Sequence, residues 1–325
     1  MNLIVVIISF VLRHLVPEME HHKNAKFNFL DLPESQKMEK HLTILRHTDV
    51  KTTKHLPVIM WHGMGDYYDS NSMKWAAESM LKAQPDLEIF SIYIDEDSKK
   101  DRSASVWGDA MSEVTQACNE IKSLQIDINN GINLVGFSQG GLFVRALAQV
   151  CDVKVNNVIA IGSPQNGFAD LPPCEPDNSF CKRRNEFLKS RMYTDFMQNN
   201  NIQAQYFRDV NNFETYLEKS VFLKFINNEL YTNVDYKKKM KDINKLVLIM
   251  FQKDETLVPK ETAWFYDLDP ESGKLIHFNH TTSYKYNLIG LKTLNEQGKI
   301  DFLSIDNLHL VMTEEDMMFL ADTYL

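Results

Sequence analysis

The strongest constraint on this chain is the segment at residues 133–141, which reads NLVGFSQGG. Within it, Gly136, Ser138 and Gly140 form the pattern G-x-S-x-G. The residues before the pattern predict a short strand and those after it recur at the spacing of one helix face, namely Ile132, Leu134 and Val135, then Leu142, Ala146, Leu147 and Val150. A sharp turn from strand to helix strains the serine backbone, and flanking glycines let neighbouring chain approach closely. The segment therefore predicts a nucleophile elbow that exposes the Ser138 hydroxyl, with an ordinary glycine-rich turn as the alternative.

Strands and helices alternate along most of the chain. Predicted strands lie at residues 56–61, 87–94, 132–135, 155–161, 245–251 and 300–305, and predicted helices at 72–81, 110–121, after the elbow and from about Thr313. This alternation predicts an α/β fold with a mainly parallel central sheet and helices on both faces. An early edge strand is expected near residues 42–45. We predict one domain over residues 25–325, interrupted by an insertion at about 165–243, where the alternation lapses.

Composition argues against a nucleic-acid partner. The 325 residues are 44% hydrophobic and 24% charged, which is ordinary for a globular protein. The net charge is -9, and the one basic run, KKKMK at 237–241, is short and isolated. Without a basic face to neutralise phosphates, no nucleic-acid binding is expected.

The N-terminus carries an apolar run at residues 3–12, broken only by Ser9. The run is too short to span a bilayer as a stable helix, but its length suits the hydrophobic region of a secretory signal. No Lys or Arg precedes it and no clear small-x-small cleavage site follows. We interpret residues 1–24 as an atypical signal peptide or leader, with an uncleaved anchor or a misassigned start as competing interpretations.

The four cysteines fall into two plausible pairs, Cys118 with Cys151 and Cys174 with Cys181. An even count beside a candidate signal favours disulfides and an oxidising compartment, although four buried thiols in a cytosolic enzyme are the alternative. No ligand spacing typical of zinc is present, so no metal or cofactor is expected. The sequon at Asn279 predicts N-glycosylation.

A serine nucleophile needs a base and an acid that orients the base, and both are expected on loops after downstream strands. Asp254 follows the strand at 245–251, and its neighbour Glu255 is a rival. His309 follows the strand at 300–305, with His62 as the rival base. Placement at strand ends selects Ser138, Asp254 and His309. Hydrolases with a nucleophile elbow carry their serine, acid and histidine in this chain order.

The loop HGMGD at residues 62–66 directly follows a predicted strand. Glycines in such a loop leave backbone N–H groups free to point at a developing negative charge. We therefore expect the N–H groups of Met64 and Gln139 to form an oxyanion hole.

The motifs together resemble the palmitoyl-protein thioesterases of the lysosomal type. They are HGMGD, GFSQGG followed by RALAQVC, LPPCE with its later FC, SVFLKFINNE, the run from Asp254 to Val-Pro, and the final Asp-Asn-Leu-His-Leu. The resemblance covers roughly residues 56–325. It implies an α/β-hydrolase fold, removal of palmitoyl and similar acyl groups from the cysteine thioesters of lipidated proteins, and residence in the lysosome or secretory lumen.

The resemblance also assigns roles to matching positions. It implies that Ser138 is the nucleophile, Asp254 the orienting acid and His309 the base, with Met64 and Gln139 as oxyanion donors. The bridging cysteines of the family fall on the same two pairs, Cys118 with Cys151 and Cys174 with Cys181. One departure is Tyr67-Tyr68, where family members can carry cysteines.

A long acyl chain needs an apolar trough, which we expect the insertion to supply. Its candidate residues, which could equally form the insertion's own core, are Phe168, Leu171, Phe187, Phe196, Met197, Phe213, Val221, Phe222, Leu223, Phe225 and Ile226. The expected partners are S-acylated proteins, peptides and fatty acyl thioesters, with transient contact to a membrane. A lipase or carboxylester hydrolase with the same triad, and a non-catalytic binding protein of the same fold, are the alternative functions.

Overall fold

The computed structural model of the protein describes residues 42–44, 55–124 and 126–325. Within these ranges, seven strands form one large sheet and two short strands form another. In chain order the strands are β1 (Leu42–Ile44), β2 (Val58–Trp61), β3 (Ile89–Ile92), β4 (Ile132–Phe137), β5 (Val155–Ile161), β6 (Lys245–Phe251), β7 (Asp267–Leu268), β8 (Leu275–Ile276) and β9 (Ile300–Ile305). The predicted leader at residues 1–24 lies outside the described residues.

The large sheet has the strand order β1-β3-β2-β4-β5-β6-β9. β1 pairs antiparallel with β3, and every other neighbouring pair is parallel. The predicted parallel sheet and its early edge strand are therefore confirmed. Since the carboxyl ends of β4, β6 and β9 share one edge, the loops that carry Ser138, Asp254 and His309 start from the same side of the sheet.

The central strands are buried on both faces, which explains their nearly continuous apolar sequences. Side chains alternate between the two faces along each strand. In β2, Val58 and Met60 pack into one hydrophobic cluster, whereas Ile59 and Trp61 pack into the other. The sheet thus separates two apolar layers, each of which helices must cover.

Helices cover both layers, and their order follows the predicted alternation. The α-helices are α1 (Asn71–Ala83), α2 (Ser98–Ala104), α3 (Ala110–Ser123), α4 (Gln139–Val150), α5 (Ser179–Lys189), α6 (Asp195–Asn200), α7 (Ile202–Gln205), α8 (Phe213–Lys219), α9 (Leu223–Ile226), α10 (Val234–Asp242), α11 (Thr282–Lys285), α12 (Leu291–Glu296) and α13 (Glu314–Tyr324). Short 3-10 helices occupy Val210–Asn212, Lys260–Trp264 and Phe278–His280. α1 and α13 pack on one face of the sheet, and α3 and α4 on the other. Among the described residues, no helix is long and apolar enough to cross a membrane.

The segment between β5 and β6, where we expect the insertion, contains α5 to α10. Its buried side chains, such as Met197, Ile202 and Phe222, join the same hydrophobic cluster as α3 and α4. The insertion therefore covers the face of the sheet on which the elbow helix α4 lies.

Two disulfides join the four cysteines in the predicted pairs. Cys118 in α3 bonds to Cys151 at the end of α4, with 5.3 Å between their Cα atoms. Cys174 bonds to Cys181 at the start of the insertion, with a Cα separation of 5.8 Å. The first bridge ties together the two helices that lie behind the elbow.

Candidate active site

Ser138 occupies the turn between β4 and α4 in a strained conformation. Its φ is 50° and its ψ is -121°, a region that residues with a side chain rarely adopt. A Cβ at Gly136 would collide with the backbone of Gly140, and a Cβ at Gly140 would collide with the carbonyls of Trp61 and His62. The two glycines are therefore required by close packing around the serine, as the elbow pattern predicts.

His309 connects Ser138 to Asp254 through hydrogen bonds at both ring nitrogens. The Nε2 atom of His309 lies 3.0 Å from the Oγ atom of Ser138. The Nδ1 atom lies 2.5 Å from Oδ2 of Asp254. When Nδ1 carries the ring proton and donates a hydrogen bond to the carboxylate, Nε2 is free to accept the serine proton. The structure thus brings the three predicted side chains into one chain of hydrogen bonds.

The carboxylate of Asp254 is held in place by the loop that follows β6. Its side chain is only 1% exposed. The Oδ1 atom accepts hydrogen bonds from the N–H groups of Thr256 at 2.8 Å and Leu257 at 3.1 Å. Because these bonds use Oδ1, Oδ2 points at His309 in a fixed orientation.

The two rival residues lie outside this arrangement. Glu255 is exposed to solvent, whereas its neighbour Asp254 is buried. His62 is buried and donates from Nδ1 to the carbonyl of Gly63 at 2.9 Å. Its Nε2 lies 3.2 Å from Oδ2 of Asp101, close enough for an ion pair. Both ring nitrogens of His62 therefore face groups other than Ser138, and the residue fixes the loop after β2.

Burial acts to lower the pKa of His62, but the Asp101 carboxylate outweighs it and raises the pKa above the ordinary value of 6.5. The carboxylate of Asp101 is buried and accepts from the N–H groups of Ile94 at 2.7 Å and Tyr68 at 2.9 Å. Asp101 could not be predicted as part of the site, because nothing in its sequence neighbourhood distinguishes it from a surface acid. Its contact with His62 is visible only in three dimensions.

The loop after β2 packs directly against the elbow. A Cβ at Gly63 would lie 3.2 Å from the Cβ of Ser138. Gln139 is the first residue of α4, where backbone N–H groups have no partner within the helix. Met64 lines the same cavity as Ser138. Met64 and Gln139 thus both lie close to the serine, and their assignment as oxyanion donors stays a prediction.

Ser138 lines an apolar groove of about 800 Å³, a volume that includes the solvent at its open mouth. Its lining residues are Met64, Ser138, Pro164, Phe168, Leu171, Pro172, Leu188, Met192, Met197, Asn201, Gln203, Tyr206, Thr256 and Leu257. Most of them come from the insertion and the residues just before it. The apolar lining suits an apolar organic ligand.

The candidate trough residues separate into four groups. Phe168, Leu171 and Met197 line the groove. Phe222, Leu223 and Ile226 are buried in the core, Phe213 and Val221 are partly buried, and Phe187, Phe196 and Phe225 are exposed. Composition alone could not separate these groups, since apolar residues of the insertion serve its own core as well as the groove. Among the described residues, no group of three or more His, Cys, Asp or Glu side chains could hold a metal ion.

The strand order, the strained serine after β4 and the Ser138-His309-Asp254 hydrogen bonds define a serine hydrolase of the α/β-hydrolase class. Residues 57–309 match the family described as palmitoyl protein thioesterase. The chain belongs to this family and is a thioester hydrolase.

Two relatives and one solved structure are similar to the chain as follows. Palmitoyl-protein thioesterase 1 of Caenorhabditis elegans is 35% identical over 261 residues, which cover 79% of this chain and 87% of that protein. The lysosomal thioesterase PPT2 homolog of Drosophila melanogaster is 31% identical over 205 residues, covering 61% and 68%. The solved structure of Est1E from Butyrivibrio proteoclasticus with ferulic acid bound covers 86% of this chain and 91% of its own, with 12% identity and a TM-score of 0.45.

Proposed function

We propose that the protein removes palmitoyl and other long fatty acyl groups from cysteine thioesters of lipidated proteins and peptides. The observation that carries the proposal is the Ser138-His309-Asp254 chain of hydrogen bonds beside an apolar groove that Ser138 lines. The family and the name of the C. elegans relative support the same substrate class.

The first half of the reaction transfers the acyl group to Ser138. His309 accepts the serine proton at Nε2 as the hydroxyl oxygen attacks the thioester carbonyl, and Asp254 stabilises the resulting imidazolium. The negative charge that develops on the carbonyl oxygen is stabilised by the N–H groups of Met64 and Gln139. Each such donor is worth roughly 3 kcal/mol in the transition state.

The second half releases the products. The cysteine leaving group has an ordinary pKa of about 8.5, so it departs with little need for protonation. Water then attacks the acyl-enzyme with His309 as the base, which frees the fatty acid and restores Ser138. The His309 side chain is 13% exposed, so water can reach its ring.

The apolar groove would hold the acyl chain during both steps. Each buried methylene contributes about 0.8 kcal/mol. Phe168, Leu171, Leu188 and Met197 supply apolar surface along the groove. A long chain therefore has a large binding advantage over a short one, and we expect KM to fall as the chain lengthens.

The triad assignment is tested by turnover of a palmitoyl thioester. Ser138→Ala should abolish activity, and Asp254→Asn should lower kcat by about 10⁴-fold, because the imidazole would then hold the wrong tautomer. Glu255→Gln is the matched control, since it changes the exposed acid next to Asp254 and should retain wild-type activity. Full activity of the alanine variant would exclude Ser138 as the nucleophile.

A parallel assay with the oxygen-ester analogue of the same acyl chain separates a thioesterase from a carboxylester hydrolase. We expect the thioester to turn over faster. A larger kcat/KM for the oxygen ester would favour the second class.

We further propose that the protein works in the lysosome or another part of the secretory lumen, with transient access to membrane-bound substrates. The name of the Drosophila relative, the two disulfides and the exposed Asn279 of the sequon support this location. To test this location, the protein is isolated from that compartment, and its mass is measured before and after enzymatic removal of N-glycans.

A further inference from the structure

Gln203 lies in the wall of the groove and is bonded to the residue after the nucleophile. Its Nε2 donates to Oε1 of Gln139 at 2.7 Å and to the carbonyl of Ser105 at 2.9 Å. Gln139 donates from Nε2 to the same carbonyl at 3.0 Å, and it accepts from the hydroxyl of Tyr206 at 3.0 Å. The hydroxyl oxygen of Ser105 in turn accepts the N–H of Gly65 at 2.8 Å. Side chains of the insertion are thereby linked to both loops around Ser138.

The polar atoms of Gln203 are satisfied within the protein. Its Nε2 group has two acceptors, and its Oε1 accepts from Nδ2 of Asn201 at 3.2 Å. The residue is only 8% exposed. A buried amide whose donors and acceptor are already used holds other groups in place, so it is unsuited to binding a polar part of the substrate.

We propose that Gln203 is a positioning residue that holds the two oxyanion donors at fixed positions relative to each other. It acts on one donor through the side chain of Gln139 and on the other through Ser105, which binds Gly65 next to Met64. This inference rests on the proposed function. Gln203 and Tyr206 line the groove and also hydrogen-bond to Gln139. A displacement of the groove wall should therefore also displace the oxyanion hole.

The test is Gln203→Met, which keeps the length of the side chain and removes its hydrogen bonds. We expect kcat for a palmitoyl thioester to fall by about tenfold or more with KM changed less than about threefold, because small displacements of transition-state donors are costly. A long-chain trifluoromethyl ketone, which forms an oxyanion on Ser138, should bind more weakly in proportion to kcat/KM. 1-Hexadecanol, which has a chain of the same length and no carbonyl oxygen, should bind as it does to the wild type.

Gln205→Met is the matched control. Gln205 is a buried glutamine of the same helix α7, but it bonds to the N–H of Ala110 and the carbonyl of Gly108, away from the oxyanion loops. It should lose stability without a selective loss of kcat. Tyr206→Phe, which removes a single hydroxyl from the network, is the milder second variant, and its kcat should fall in the same direction with its thermal midpoint nearly unchanged.

Three results would overturn the proposal. The first is a kcat of Gln203→Met within about twofold of wild type, and the second is an equal kcat loss in Gln205→Met. The third is equal weakening of 1-hexadecanol and the ketone, which would make Gln203 a simple lining residue. Failure of the proposed function is distinct, since it would appear as an inactive wild type or an active Ser138→Ala in the same assay.

Discussion

At the scale of single residues, Arg145 of α4 is a fully buried cation with neutral hydrogen-bond partners. Its guanidinium donates to the side-chain Oε1 of Gln165 at 2.7 Å and to the carbonyl of the same residue at 3.0 Å. It also donates to the side chains of Gln149 at 3.1 Å and Asn227 at 2.8 Å, and to the carbonyl of Ile226 at 3.3 Å. Burial lowers its pKa to about 9, which leaves it protonated at neutral and acidic pH. The residue therefore joins the elbow helix to the loop after β5 and to the insertion.

Arg145→Met should destabilise the protein by about 3 kcal/mol, because it leaves several buried acceptors unpaired. Denaturant unfolding measures the loss. Arg183→Met, at an exposed position of α5, is the control and should change stability by less than about 0.5 kcal/mol. Similar losses in the two variants would contradict the role assigned to Arg145.

Residues that directly follow strand ends could be predicted from the sequence. Residues whose role depends on long-range hydrogen-bond partners could not. Asp254 and His309 come directly after β6 and β9, so parallel strand order brings them to one edge. Gln203 has no such marker, since its importance depends on Gln139, 64 residues away. The long-range hydrogen bonds of Arg145 are hidden for the same reason.

At the scale of elements, the two disulfides should contribute unequally to stability. The Cys118–Cys151 bridge spans 33 residues and joins α3 to the end of α4, whereas Cys174–Cys181 spans only 7. Loop-closure entropy predicts about 3.7 kcal/mol for the longer bridge and about 2.4 kcal/mol for the shorter. Paired Cys→Ala variants, compared by denaturant unfolding, should follow this order. A larger loss from the shorter bridge would show that strain or residual structure outweighs loop length.

Elements that contain a clear period were predicted well, and those of the insertion were not. β6 is a run of apolar residues flanked by polar ones, and α4 has an apolar face, so each is visible in sequence. In contrast, α7 and α9 are four residues long. Such short helices are stabilised by tertiary packing, which one sequence does not reveal.

At the scale of the whole molecule, we expect a buried acid to make the fold more stable at acidic pH than at alkaline pH. Glu113 of α3 is buried near His62, Asp101 and Asp109, and burial raises its pKa from 4.5 to about 8. A carboxyl group whose pKa is raised by folding stabilises the fold fully below its unfolded pKa, and this contribution is lost as pH rises through the folded pKa. The raised pKa of His62 acts in the same direction above pH 6.5. The lowered pKa of Asp101 acts in the opposite direction, but only in stronger acid, below its ordinary 3.8.

The free energy of unfolding should therefore fall by a few kcal/mol between about pH 5 and about pH 8, since each pKa unit corresponds to about 1.4 kcal/mol. Glu113→Gln keeps the shape of the side chain and removes its titration, so its stability should depend less on pH over the same range. Thermal or denaturant unfolding of both proteins across this range measures the slopes. A wild-type stability that rises towards pH 8, or equal slopes in the two proteins, would exclude Glu113 as the source. The expected slope would suit the lysosomal location proposed above, because the fold would be most stable at acidic pH.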